Sequence, residues 1–493
     1  MFSKHRVWGG GACCVVIAWL VALAAPLAAA EKPNIVVFLV DDFGARDLSC
    51  YGSTLYETPH MDLLAAEGMR FTNAYAAYPR CVPSRQGLLS GKYPCRVETL
   101  RNATAGSTHA LPLSEVSFGE ALKADGYRTG YIGKWHLGEG EGGPAGQGFD
   151  TVVHAGSAGA TGSYFHPFAL EKGRSVENPL PSEEGDYLID RMTDEAVRFI
   201  EEPGDSPFLL VVSHYAVHTP LEAPAELTEK YERKLREAGG PIGGGRDDAD
   251  LLRDRQGITK TVQNNPVYAA MVEKTDASLG RLMESLKRSG AADNTVIILT
   301  SDHGGLSTRG LENNRGLATS NSPYRQGKGS VFDGGTRVPL IVWWPGKVAA
   351  GGVSPARVNG TDHYPTMLEM AGAPLRPEQH VDGVSYWKAL QGEAFERPPI
   401  FCNKWMARPK STGDTRAISL IDGRWKLILW LDEDLVELFD LEEDLGEAAN
   451  LATAMPEKME AMLQELLATE AAIGSLREKG LEVTQRRMAR ESQ

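Results

Sequence analysis

The feature that most constrains this chain is a set of short, nearly uninterrupted apolar runs, each stopping at residues able to do chemistry. Asn34–Val40 (NIVVFLV) stops at Asp41-Asp42. Residues 127–132 run into Gly133-Lys134-Trp135-His136, residues 208–212 lead to His214 and His218, and residues 295–300 (TVIILT) end at Ser301-Asp302-His303-Gly304. Val/Ile/Leu runs of this length suit strands covered on both faces, as in a parallel sheet. Helical patterns lie between them, over residues 59–69, 114–125, 186–201 and 268–289. This alternation predicts an α/β fold with right-handed crossovers, a large mixed and mostly parallel sheet sandwiched by helices.

In open α/β sheets, ligands collect beyond the carboxyl ends of the strands. That rule places Asp41, Asp42, Lys134, His136, His214, His218, Asp302 and His303 along one rim, although they are far apart in the chain. Asp41 and Asp42 are neighbours, so a turn after Val40 is needed to aim both carboxylates at one point. With Asp302 they would form an oxygen-rich cluster suited to a hard divalent cation. His303 is a softer ligand and leaves room for a transition metal. The plain alternative is that each polar group opens a solvated loop, the better reading for Lys134 or His136 taken singly. His214, four residues before His218, reads equally as a core histidine.

After about Ser385 the texture changes. Residues 415–431 (TRAISLIDGRWKLILWL) read as a hairpin turning at Asp422-Gly423, and residues 435–441 add a short strand. Pro456–Ile473 is a helical pattern, and the charged end from Arg477 is expected to fray. These elements predict a smaller C-terminal α+β domain, an antiparallel sheet plus a helix. The expected division is therefore a leader over 1–30, an α/β domain over 31–385, the α+β unit over 386–476 and a charged tail over 477–493. The glycine-rich stretches 138–148 and 239–245 read as surface loops.

Net charge narrows the partners. At −14 the chain lacks the basic surface that duplex nucleic acid requires, although a buried Lys/Arg/His cluster could still receive an anion. Lys4 and Arg6 precede an apolar stretch from Ala12 to Leu27, and Ala28-Ala29-Ala30 offers a cleavage site. The stretch is short for a membrane span and Pro26 interrupts it, which favours a cleaved leader over an anchor. Cys50, Cys81, Cys95 and Cys402 would then remain, too few for a disulfide-stapled scaffold. Cys50–Cys95 and Cys81–Cys95 bridges both stay open as the plain reading for an exported chain.

One motif carries more information than any of these. Cys81-Val-Pro-Ser84-Arg85, running on into Gln-Gly-Leu-Leu-Ser-Gly91, closely resembles the signature of the type I sulfatases, in the alkaline-phosphatase-like superfamily. The stretch from Gly130 through Lys134-Trp-His136 to Gly138 resembles the second sulfatase signature. Lys328-Gly-Ser-Val-Phe-Asp333-Gly-Gly-Thr-Arg337 resembles a third block, with Asp333 where the family usually has glutamate. Asp41-Asp42, Asp302-His303 and the closing Glu437-Leu-Phe-Asp440-Leu…Asn450-Leu are similar in kind and order, so the likeness spans nearly everything from Lys32 to about Ala452.

The resemblance implies a secreted or periplasmic sulfuric ester hydrolase in which Cys81 is oxidised to formylglycine by a formylglycine-generating enzyme. It implies Ca²⁺, with Mg²⁺ second, held by Asp41, Asp42, residue 81, Asp302 and His303. The hydrated aldehyde would attack sulfur with help from Arg85 and Lys134, and its second hydroxyl would lose a proton to His136 as sulfate leaves. His218 would protonate the leaving alcohol, and Lys328 would share the sulfate. A sulfated carbohydrate is the expected substrate, by likeness of residues 319–325 to loops of carbohydrate sulfatases, with no nucleic acid and no stable membrane anchor. Loops 152–167 and 306–325, with His154, His166 and Arg309, are the expected places for sugar contacts.

Ser84 suggests a serine hydrolase only superficially, because no Gly-x-Ser-x-Gly elbow surrounds it. Two rivals carry more weight: a phosphate or phosphonate ester hydrolase of the same superfamily, and a glycan-binding pseudo-enzyme. The second is disfavoured by the presence of Cys81, Asp41, Asp42, Asp302 and Lys328 together. The Asn102 and Asn359 sequons carry little information unless the host glycosylates.

Overall fold

The computed structural model describes residues 31–97, 110–170, 173–433 and 435–490, together with residues 1–3, 5 and 9. The leader expected over 1–30 falls almost wholly outside the described residues, as does the Asn102 sequon. Among the described residues no helix is long and apolar enough to cross a membrane.

Eight strands build the main sheet: β1 (Asn34–Val40), β2 (Met69–Tyr75), β3 (Arg128–Gly133), β4 (Thr151–Val153), β5 (Phe208–Ser213), β8 (Thr295–Ser301), β10 (Leu340–Trp343) and β11 (Gly352–Asn359). Their order is β11-β2-β10-β8-β1-β5-β3-β4. Every pairing is parallel except those of β10, which runs antiparallel to β2 and β8. β2, β4, β10 and β11 were not read from the sequence; they are short or more mixed in polarity, so no long apolar run announces them.

Why the central runs are apolar throughout is visible in β1. Ile35, Val37 and Leu39 join one core, and Val36, Phe38 and Val40 join another on the opposite face. Each face is covered by helices: Pro59–Glu67, Leu188–Glu201 and Pro266–Arg288 on one side, Cys81–Ser90, Phe118–Ala124 and His363–Met370 on the other. Burying each such side chain contributes roughly 1.5–3 kcal/mol, so a polar residue on either face of β1 would be costly. The helix expected over 114–125 begins only at Phe118, where Ser117 and Glu120 form a reciprocal cap.

Register then aligns the strand ends. Val40 lies opposite Ser301, Leu39 opposite Ser213, and Gly133 opposite Ser213. The residues that follow β1, β3, β5 and β8 therefore emerge at one rim.

A second sheet is antiparallel, in the order β12 (Ile400–Lys404), β13 (Ala417–Asp422), β14 (Trp425–Trp430), β15 (Leu435–Asp440). β13 and β14 form the expected hairpin, with Asp422 paired to Trp425. Helix Pro456–Ile473 buries Met462 and Leu466 in the same core as Leu427 and Leu429. The charged end does not fray: Arg477–Arg490 is a helix that buries Val483 and Thr484, and Gly480 sits directly on the Trp405 carbonyl. Its many charges lie on the remaining faces, which is what made it read as a tail. A small third sheet, β6 (Leu251–Asp254), β7 (Gly257–Lys260) and β9 (Thr308–Gly310), was also unexpected.

All four described cysteines carry free thiols, so neither Cys50–Cys95 nor Cys81–Cys95 forms. Asn359 ends β11 fully buried and its side chain caps the following turn by accepting from Thr361 N, which leaves no room for a glycan.

Candidate active site

The site is assembled where β1, β3, β5 and β8 end. After Val40 the backbone leaves the strand: Asp42 adopts φ 59°, the left-handed region, and this provides the turn that lets both aspartates face one point. Asp42 N donates to Asp302 Oδ1 at 3.3 Å, tying the ends of β1 and β8 together. Ser301 Oγ accepts from Phe43 N and donates to the His303 carbonyl, a second tie between the same segments.

Cys81 is the first residue of helix Cys81–Ser90 and is buried. Pro83 costs nothing there, because the first turn has no intrahelical N–H bonds to lose. The helix can approach the sheet because Gly87 has no side chain; a Cβ at that position would lie 2.7 Å from the Ala77 Cβ. Sγ of Cys81 lies 3.1 Å from His303 Nε2. Ligand atoms of Asp41, Cys81, Asp302 and His303 fall within 4.8 Å of one another, and so do those of Asp41, Asp42, Cys81 and His218. All five residues expected to surround a cation are thus brought together.

Cations interleave with these carboxylates. Lys134 Nζ is fully buried against Asp41 Oδ2. Arg85 donates from Nε to Asp302 Oδ2 at 2.9 Å and from its Nη1 to the Lys134 carbonyl and Ser213 Oγ, and lies 3.8 Å from Asp41 Oδ1. Lys328 Nζ donates to both oxygens of Asp42 at 2.6 and 2.9 Å. His218 Nδ1 faces the Thr219 carbonyl at 2.7 Å, which requires the proton on Nδ1 and leaves Nε2, 3.9 Å from Asp42, toward the pocket. His136, half-buried and at φ 64°, is a hydrogen-bond partner of the Cys81 thiol.

Electrostatics follow from this packing. Burial pushes the Cys81 thiol up, but Lys134, Lys328 and His303 outweigh it and hold the group well below the usual thiol value. Burial and then the Asp302 charge raise Asp41 well above the carboxylate range, whereas Lys328, His218 and His303 overcome burial at Asp42 and lower it. His303 is raised despite burial, chiefly by Asp302. His136 and His218 are held neutral by burial, at about 3 and about 4.

Do these residues suit a divalent cation? Among the described residues Asp41 Oδ1 is buried with no hydrogen-bond partner, and Asp41 is pushed up first by burial and then by the neighbouring Asp302 charge. Carboxylate oxygens dominate the donor set, as a hard cation prefers. The residues fit such an ion, which would be held by Asp41, Asp42, Asp302 and His303 beside residue 81.

Other expected residues stand elsewhere. His214 is a core histidine, edge-on to Phe38 with Nε2 3.1 Å from Ser278 Oγ. His154 is buried between Phe168 and Tyr215 and accepts from Leu180 N, so it faces no sugar. Arg309 is buried and spends its donors on the Arg315 and Arg246 carbonyls. His166 is exposed and pairs with Ser182. In the third block, Asp333 binds Arg337 and Lys426, joining the main sheet to the C-terminal one. Sequence reasoning missed the groups that hold the site in place: Ser213 beside Arg85, Tyr131 OH on the Lys134 carbonyl, and Tyr164 OH on the His218 carbonyl. Ser213 alone was within reach, since it closes a strand on the same rim.

The chain is similar to known proteins over most of its length. The family model described as Sulfatase matches residues 33–373, and that of the N-sulphoglucosamine sulphohydrolase C-terminal region matches residues 326–472. Arylsulfatase A of Homo sapiens is 33% identical over 402 residues, covering 76% of this chain and 70% of that protein. N-acetylgalactosamine-6-sulfatase of Rattus norvegicus is 31% identical over 439 residues, covering 83% and 73%. The solved structure of Ps i-CgsB in complex with k-i-k-neocarrahexaose superimposes with a TM-score of 0.73 at 28% identity, covering 91% of this chain and 94% of that one.

Proposed function

Because the chain belongs to the sulfatase family of the alkaline-phosphatase-like superfamily and is a sulfuric ester hydrolase, we propose that it is exported and removes sulfate from a carbohydrate, using a formylglycine made from Cys81 and a Ca²⁺ ion. One observation carries this reading: the Cys81 Sγ, three aspartates and His303 converge in a buried pocket ringed by Lys134, Arg85 and Lys328.

When bound, the cation would neutralise the three carboxylates and polarise the sulfuryl oxygens. The aldehyde hydrate would supply one hydroxyl to attack sulfur and a second whose deprotonation releases sulfate. The chain's own residues do the rest. Lys328 reaches Asp42 from the open side of the pocket and is the cation best placed to hold a sulfuryl oxygen. Lys134 and Arg85 lie deeper and are committed to Asp41 and Asp302, so they fix the carboxylates and the charge at residue 81. His136, neutral and next to residue 81, is suited to accept the hydroxyl proton. His218 presents Nε2 to the pocket with its ring proton held on Nδ1 by Thr219, so it would protonate the leaving oxygen once Nε2 has taken up a proton, a charged state that Asp42 at 3.9 Å favours.

The carbohydrate assignment is supported by relatives named for N-acetylgalactosamine-6-sulfate and by the carrageenan-oligosaccharide complex of a structural neighbour. Peptide mass spectrometry across residues 78–96 tests the nucleophile: a lighter, aldehyde-bearing peptide is expected from a host that carries the converting enzyme. An unmodified thiol in fully active protein would refute it. Comparison of 4-nitrophenyl sulfate with 4-nitrophenyl phosphate tests the reaction, and a large phosphate preference would reverse the assignment.

A further inference from the structure

A single short segment touches both histidines to which proton transfer falls. His136 N donates to the Gly156 carbonyl at 2.9 Å, and Gly159 lies directly against the His136 imidazole. A Cβ at Gly159 would lie 2.2 Å from both Cε1 and Nε2 of that ring, closer than packed atoms approach. Further along the same segment, the fully buried Tyr164 donates from its OH to the His218 carbonyl at 2.9 Å.

Backbone bonds hold this segment along its length. Ala155 bridges to Glu177, Ala158 N donates to the Ser175 carbonyl at 3.2 Å, and a Cβ at Gly156 would lie 2.7 Å from that same oxygen. At the other end Thr161 bridges to Leu170, and Glu222 Oε2 accepts from Ser163 Oγ at 2.9 Å and from Tyr164 N at 2.7 Å. The His136 ring is the less firmly held partner. Among the described residues its Nδ1 is buried with no hydrogen-bond partner, so its orientation rests on the Cys81 thiol and on contact with Gly159. A side chain at position 159 would therefore move the ring before it moved the segment.

We infer that residues 156–164 are a positioning strap for the acid–base chemistry of this site. Gly159 holds the His136 ring at residue 81 by close contact, and Tyr164 holds the His218 backbone, so one rigid segment sets both proton-transfer groups. Both residues act through the histidines, and the inference rests on the roles proposed for His136 and His218 above. It gives the loop over residues 152–167 a task other than the sugar contact expected of it.

Double-mutant cycles test this, with kcat and KM read on formylglycine-bearing protein and the melting temperature read on the same variants. Gly159→Ala should lower kcat about a hundred-fold with KM nearly unchanged, and should add no further loss to His136→Ala, in which the ring is gone. The same change should lower the melting temperature of the parent and leave that of His136→Ala unaltered. Tyr164→Phe should lower kcat about ten-fold on galactose 6-sulfate, far less on 4-nitrophenyl sulfate, and add nothing to His218→Ala. A kcat loss from either variant that persists in the matching histidine background marks a merely structural role and overturns the inference. Full kcat together with an unaltered melting temperature in Gly159→Ala overturns it as well. Where neither ester is turned over, the melting cycle decides alone. The functional reading fails separately: undiminished kcat in His136→Ala removes the base itself and the purpose of the strap with it, whereas a low kcat in His136→Ala with an additive Gly159→Ala loss sinks the strap alone.

Discussion

Cys81 Sγ and His303 Nε2 lie 3.1 Å apart, although 222 residues separate them in the chain. That contact joins the start of one helix to the end of a strand, and it places the reactive residue against the carboxylate cluster. The same closeness lowers the thiol and raises His303, so the two groups stabilise opposite charges on each other.

Calcium should stabilise the folded protein through the carboxylate cluster. Chelator-stripped protein should melt at a temperature that rises with added Ca²⁺, by linkage worth about 2.7 kcal/mol at a hundred times the dissociation constant. Asp302→Asn should lose most of that response. An undiminished calcium shift in this variant, read by scanning fluorimetry, would remove Asp302 from the ligand set.

His218 should matter in proportion to how badly the leaving group needs a proton. His218→Ala is expected to lower kcat about 10²–10⁴-fold on a sugar sulfate, whose alkoxide is a poor leaving group. On 4-nitrophenyl sulfate the loss should be far smaller. Equal losses on both substrates would argue that His218 binds rather than protonates.

Lys426 is fully buried between Asp333 and Glu447, at 2.8 and 2.7 Å. Lys426→Met leaves Glu447 without its cation beside Asp333, which keeps Arg337, and should cost about 3–5 kcal/mol in urea unfolding. A cost under 1 kcal/mol would show that the pair relaxes by taking up a proton.

Asp47 predicts a pH dependence of stability. Burial outweighs its bonds from Tyr268, Thr319, Gly44 and Gln263 and raises it to about 6 from an ordinary 3.8. Between those values the folded state holds a proton that the unfolded chain has released. Its contribution is therefore complete below about pH 4 and is lost as pH rises through 6, at up to about 1.4 kcal/mol per unit. Asp47→Asn should flatten stability over that window; an identical slope in variant and parent would contradict the shifted value.

The residues that hold the site were less legible than those that form it. Asp41, Asp42, Asp302 and Lys134 follow apolar strands, so periodicity and the strand-end rule point to them directly. Ser213, Tyr131 and Tyr164 act through single hydrogen bonds to backbone carbonyls, an interaction that leaves no pattern in sequence. His154 and Arg309 looked like surface contacts because their segments read as loops, yet His154 folds inward and Arg309 lies in the buried strand β9. The helix Arg477–Arg490 escaped notice because charge hid a narrow apolar stripe.

By itself, the sequence determined the layered α/β architecture, because strands buried on both faces must be apolar throughout, and it determined which residues leave those strands at the rim. Only the tertiary structure decided how charge is shared there. Lys134 went to Asp41, Arg85 to Asp302 and Lys328 to Asp42. Pairings of this kind depend on distances of a few ångströms between segments hundreds of residues apart, and Coulomb energy and burial act on distance, which sequence order does not encode.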